Sequence, residues 1–163
     1  MCRWHVGVLV LGLLGSLAGC TPPPPPPTVV AVTLAAGPDV NPSPTGQSAP
    51  LVVRVYQLGS DAAFGNAEFF QLFSQDQATL KTDLVKHDEY ILAPGQTKSA
   101  TLNPTDPVTA IGIFAAYRDF QGASSWRATI TVAPHQTTSI NVQAGAKGIV
   151  VKTDPASALK SGS

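Results

Sequence analysis

From Val29 onward the chain alternates between short apolar runs and clusters of proline, glycine and small polar residues, the pattern of strands and turns rather than of long helices. Val29 to Ala35 (VVAVTLA) is β-branched and uncharged and predicts a first, buried strand. Ala36 to Pro50 holds four prolines and two glycines, which excludes regular structure and predicts a long, stiffened loop. Leu51 to Leu58 (LVVRVYQL) predicts a second strand, with Leu51, Val53 and Val55 on one face and Val52, Arg54, Tyr56 and Leu58 on the other. Arg54 then lies among apolar neighbours and needs a carboxylate or carbonyl partner.

Between Ser60 and Val85 the alternation breaks. Asn66 is placed to cap a helix running to Ser74, with Phe69, Phe70 and Phe73 as a core-packing stripe. Asp76 is placed to cap a second helix that turns Ala78, Leu80, Leu84 and Val85 inward. Strand patterning returns at Tyr90 to Leu92, then Thr97 to Leu102 beyond a Pro94-Gly95 turn. Val108 to Tyr117 is the longest apolar run and predicts a central strand, in which Gly112 leaves a gap for a neighbouring aromatic ring. Ser125 to Val132, Thr137 to Gln143 and Gly148 to Lys152 complete about eight strands, and the tail beyond Asp154 is polar and expected to be disordered. The fold class is mainly β: a two-sheet β-sandwich over residues 29–153 with a short helical insertion.

The start of the chain is of another kind. A basic opening around Arg3, an apolar run from Val6 to Ala18 and the sequence Leu17-Ala18-Gly19-Cys20 form a secretory signal over residues 1–19. The run is shorter than the roughly 20 apolar residues that span a bilayer. Leu-Ala-Gly-Cys resembles the bacterial lipobox, which implies cleavage before Cys20 and acylation of that cysteine; Thr21 next to it points to the outer membrane. Residues 20–28 then act as a spacer, since Pro22 to Pro27 in polyproline II extend about 19 Å.

Removal of residues 1–19 takes away Arg3, leaving nine Lys and Arg against ten Asp and Glu. That balance offers no attraction to nucleic acid. Cys2 leaves with the signal, so no internal disulfide is expected. His87 and His135 stand beside predicted turns, with no metal-ligand spacing around them, and no serine lies in GxSxG. His87 reads as a solvated helix-end residue, and Asp119 beside Arg118 as an ion pair or a turn cap. A non-enzymatic protein without cofactor or small-molecule substrate is expected.

Several stretches together resemble one family, the outer-membrane lipoprotein of the type VI secretion system, TssJ (also VasD or SciN): the lipobox, Val40-Asn41-Pro42, the strand VRVYQL, Ala67-Glu68-Phe69-Phe70, and Tyr117-Arg118-Asp119 with Trp126-Arg127. The resemblance implies a transthyretin-like sandwich anchored through Cys20 at the periplasmic face of the outer membrane. It also implies that the first loop docks on the periplasmic domain of the inner-membrane protein TssM, with Asp39, Val40, Asn41, Pro42 and Ser43 as contact candidates. Deletion of Val40 to Ser43 is expected to weaken partner binding with little loss of stability, since an exposed loop contributes few core contacts. The competing reading is an envelope lipoprotein that binds a small apolar ligand or a periplasmic polymer, in a cavity lined by Phe69, Phe70, Phe73 and Trp126.

Overall fold

The computed structural model describes residues 23–105 and 107–155. Its elements are β1 (Val29–Ala36), β2 (Leu51–Leu58), α1 (Ala62–Asn66), α2 (Phe69–Ser74), α3 (Asp76–Leu80), a 3-10 turn (Lys81–Asp83), β3 (Leu84–Leu92), β4 (Thr97–Leu102), β5 (Ala110–Ala115), β6 (Arg127–Thr131), β7 (Thr137–Gly145) and β8 (Gly148–Pro155). Two four-stranded sheets form, in the orders β4-β1-β7-β8 and β3-β2-β5-β6, so the chain is the expected eight-strand sandwich. β1 and β7 run parallel and the other pairs antiparallel.

Alternation decides which face of each strand goes where. Leu51, Val53 and Val55 of β2 join Val30, Val32 and Leu34 of β1 in the core between the sheets. Tyr56 and Leu58, on the opposite face of β2, join Phe64, Phe69, Leu72, Leu80 and Phe114 in a second core under the short helices. The insertion therefore covers the outer face of one sheet. Gly112 is where it fits most closely: a Cβ there would lie 2.9 Å from Phe64 Cζ, so the missing side chain is the space the ring fills.

The insertion itself differs from expectation. Asn66 is the last residue of α1, and α2 begins three residues later, where the Gln71 side chain accepts the Glu68 N–H at 2.8 Å. The helix at Asp76 ends at Leu80; Leu84 and Val85 open β3, with Val85 and Ala78 exposed. β3 thus starts six residues before the apolar stretch Tyr90 to Leu92. As an edge strand it shows one face to solvent, which permits the polar run Lys86 to Glu89. Of the phenylalanines, Phe69 is buried, whereas Phe70 and Phe73 are exposed and Leu72 takes the inner position. The central strand is shorter than its apolar run, and β7 and β8 continue to Gly145 and Pro155, so Asp154 belongs to the sheet. Residues 1–22, with the signal and Cys20, and the tail at 156–163 lie outside the described residues.

The register gives the domain two distinct ends. Val29 pairs with Thr137 and Val30 with Leu102 at one end of β1, where the spacer enters. Ala36 pairs with Ala144 at the other end, where the first loop leaves. Leu51 pairs with Leu92 and Val53 with Ala115, which puts the segment after β5 at the loop end as well. Eight strand residues hold the two ends about 25 Å apart. At the entry end His135, with φ of 60°, donates its N–H to Thr28 Oγ1 at 2.9 Å, and its Nδ1 lies 2.9 Å from Pro26 O. The last spacer residues are thereby held against the turn before β7.

Candidate docking surface

The loop from Gly37 to Pro50 is built as a rigid unit. Gly37 N–H donates to Ala144 O and Gly95 N–H to Gly37 O, tying its base to two neighbouring turns. At its tip Ser43 N–H donates to Gln47 O and Gly46 N–H to Ser43 O, both at 2.8 Å, with Gly46 at φ 84° as the turn requires. Ser48 Oγ donates to Pro38 O at 2.7 Å. Four prolines add restriction, so little order remains to be gained on binding.

The five candidates divide into two groups. Val40 is fully buried in the inter-sheet core, and Asn41 is 7% exposed. Asn41 sits at φ 48°, a region asparagine tolerates better than most residues, and uses both ends of its amide: Nδ2 donates to Pro50 O at 2.9 Å, and Oδ1 accepts Arg118 N–H at 2.8 Å. These two residues hold the loop, and deleting them removes core. The expectation of a deletion without stability cost is therefore corrected. Asp39 is exposed, Pro42 and Ser43 are half-buried, and Pro44 to Gln47 form an exposed tip.

Facing the loop across a cleft of about 610 Å³ is the segment after β5, which contributes Tyr117, Arg118, Asp119, Gly122 and Ala123, with Ala146 and Lys147 from the β7–β8 hairpin. Arg118 and Asp119 are exposed. Asp119 Oδ1 accepts Gly122 N–H at 3.0 Å and so caps the turn. Tyr117 donates to Gly145 O at 3.0 Å; burial first, and the charge of Asp39 second, push its hydroxyl up to about 12. This second wall was not among the sequence candidates. Only the Tyr117-Arg118-Asp119 motif marked it.

The remaining polar residues serve packing. Arg54 Nε donates to Glu89 Oε2 at 2.8 Å, and Nη1 donates to Leu72 O and Phe73 O at 2.9 and 3.0 Å. Tyr56 donates to Asp76 Oδ2 at 3.1 Å, beside His87 Nδ1 at 3.4 Å from the same oxygen. His87 is thus a half-buried strand residue whose ring lies tilted beside that of Tyr56, not a helix end. Arg127 donates to Phe64 O and Ala67 O and lies over the Trp126 ring. Phe69 is packed between Phe114, Phe120 and Trp126, with centroids 4.2 to 5.3 Å away, so rings fill the space where a ligand cavity was considered. Among the described residues no group of three His, Cys, Asp or Glu is placed to hold a metal, and no helix is long and apolar enough to cross a membrane.

Residues 28–147 match the model of the family T6SS-SciN, described as Type VI secretion lipoprotein, VasD, EvfM, TssJ. Among solved structures, the T6SS lipoprotein TssJ1 from Pseudomonas aeruginosa is 39% identical, with a TM-score of 0.76 over 81% of this chain and 100% of that one. Serratia marcescens Lip, a membrane bound component of the Type VI Secretion System, is 27% identical, with a TM-score of 0.71 over 77% and 98%. A chain in a structure described as the T6SS protein TssM C-terminal domain from EAEC is 19% identical, with a TM-score of 0.65 over 77% and 98%, a likeness of fold alone. No curated protein matches the chain.

Proposed function

The chain belongs to the type VI secretion lipoprotein family of VasD, EvfM and TssJ, and from that premise we propose that it is acylated at Cys20, held at the periplasmic face of the outer membrane, and docks on the periplasmic domain of the inner-membrane protein TssM through its first loop. The observation that carries this reading is the polarity of the domain. The spacer enters at one end, and the preorganised loop leaves at the other, beyond about 25 Å of strand. A fully extended polyproline spacer of about 19 Å adds to this reach, so the loop can stand up to about 45 Å from the acylated residue. The protein is a structural component of the secretion machine; the Arg54 and Tyr56 networks hold the helical insertion on the sheet.

The test is capture of TssM from detergent-solubilised membranes by the intact protein and by a variant altered at the exposed tip, Pro44→Asp with Gln47→Asp. Capture by the first and not the second supports the reading. Equal capture by both removes the site from this loop.

A further inference from the structure

Helix α2 buries Phe69 and Leu72 and leaves Phe70 60% and Phe73 44% exposed. The two exposed rings are not scattered. Phe73 stacks on Phe69 with centroids 5.9 Å apart, and Phe70 meets Phe120 edge-on at 5.2 Å. The helix carries no charged residue that would keep this ridge solvated. Phe120 is two residues beyond Arg118, at most about 7 Å along the chain, and Arg118 N–H is bonded to Asn41 of the first loop. The Phe70 end of the ridge therefore neighbours the loop, and Phe73, whose carbonyl accepts from Arg54 in the middle of β2, carries the ridge on over the outer face of the sheet.

We infer that Phe70 and Phe73, backed by Phe120, are the apolar half of the surface whose polar half is the first loop, and that they seat in an apolar pocket of the same periplasmic partner. This rests on the docking reading above. Area argues for that occupant. Two phenylalanines at these exposures offer about 200 Å², against the roughly 800 Å² per side of a stable complex, too little to pair two copies through the ridge alone. Joined to the loop and the cleft, the ridge becomes the buried centre of a full-sized interface, where aromatic anchors contribute most. Position argues against lipid, because Phe70 packs on Phe120, two residues from the Arg118 that the first loop holds, and so lies toward the end of the domain opposite the entry of the spacer.

The experiment titrates the full acylated chain in detergent with the TssM periplasmic domain, comparing Phe70→Ser, Phe70→Ser with Phe73→Ser, and the loop-tip variant. Phe70→Ser is expected to weaken binding about tenfold and the double variant more, a range set by the cost of truncating interface anchors. Phe70→Ser is the folding-safe arm, since that ring is mostly in solvent and its melting midpoint should match the parent. If the loop variant loses binding while both phenylalanine variants bind like the parent, the inference is overturned and the docking reading stands. If the loop variant binds normally, the docking reading itself fails. Phenylalanine variants that bind TssM normally but lose adhesion to phosphatidylethanolamine–phosphatidylglycerol vesicles, or lose self-association, would assign the ridge to lipid or to a second copy and overturn the proposal.

Discussion

Asn41 Oδ1 accepts the backbone N–H of Arg118 at 2.8 Å, joining the loop after β1 to the segment after β5 across 77 positions of sequence. Because the same amide donates to Pro50 O, one buried side chain fixes both the loop's exit and the far wall of the cleft. Asn41→Ala leaves the Arg118 N–H and the Pro50 carbonyl without these partners and puts an ill-suited residue at positive φ. The expected cost is about 1–3 kcal/mol, read as a lower melting midpoint, with faster hydrogen exchange at Arg118. Asn41→Asp keeps the acceptor for Arg118 and should recover part of the loss. An unchanged exchange rate in Asn41→Ala would mean that the loop is held by other bonds.

Gly112 and Phe64 make a second test of fit. A methyl group at Gly112 would overlap a fully buried ring, which must shift to admit it. Gly112→Ala is expected to destabilise by about 1–3 kcal/mol through overpacking. Adding Phe64→Leu should recover part of it, so the double variant is predicted to be less destabilised than the sum of the single ones. Simple additivity in thermal denaturation would disprove the contact.

These residues also show what could be read from sequence. β2 and β4 were legible to their ends because proline and glycine punctuate them, Pro50 and Gly59 around β2 and Pro94-Gly95 and Pro104 around β4. The start of β3 was not, because an edge strand needs no apolar outer face. In α2 three phenylalanines cannot share one stripe: at 100° per residue Phe70 points well away from Phe69, while Leu72 and Phe73 flank Phe69 on opposite sides, and the helix turns the Leu72 side inward and leaves Phe73 stacked on Phe69 at the surface. The first loop announced itself by its prolines, but the burial of Val40 and Asn41 depends on partners such as Arg118 that local pattern does not reveal.

Arg54 bonds Glu89 and two carbonyls at the end of α2, and lies 3.7 Å from Asp76. Lysine has a single ammonium and cannot reach all of these groups from one position. Arg54→Lys should therefore cost about 2 kcal/mol, and Arg54→Met more, because it leaves the carbonyls and Asp76 without this cation. For a domain of this size each kcal/mol lowers the melting midpoint by about 3–5 °C. A midpoint for Arg54→Lys within 1 °C of the parent, roughly the noise of such a measurement, would show that the pairing is incidental.

Tyr56 and Tyr117 give the fold a limit at high pH. Burial is the first cause that pushes each hydroxyl up to about 12, from 10.0 for a free tyrosine. The folded state thus retains protons that the unfolded chain has lost. Stability from this source is complete below pH 10 and declines between pH 10 and 12. A loss on the order of 1–2 kcal/mol per tyrosine is expected across that window. Tyr117→Phe should flatten part of the slope in chemical denaturation from pH 9 to 12; an unaltered slope would exclude Tyr117 as a source.

On the proposed reading Cys20 is the single sulfur left after cleavage of residues 1–19, and it lies outside the described residues, whereas the two cores draw on residues from Val30 to Ile149. Anchoring and folding are therefore separable. One acyl chain holds a protein only marginally, and two or more hold it firmly. If Cys20 is the acyl acceptor as proposed, serine in its place removes the lipids outright, since a hydroxyl does not replace the thiol in the lipobox chemistry. Cys20→Ser is expected to move the chain from the membrane pellet to the soluble periplasmic fraction, with a melting midpoint like that of the parent, and to stop secretion. The mutant should still capture TssM in solution, because the loop end of the domain is intact. A mutant that stays with the membrane would mean that something other than acylation holds the protein there. A soluble mutant that no longer binds TssM would mean that the first loop does not act independently of the anchor.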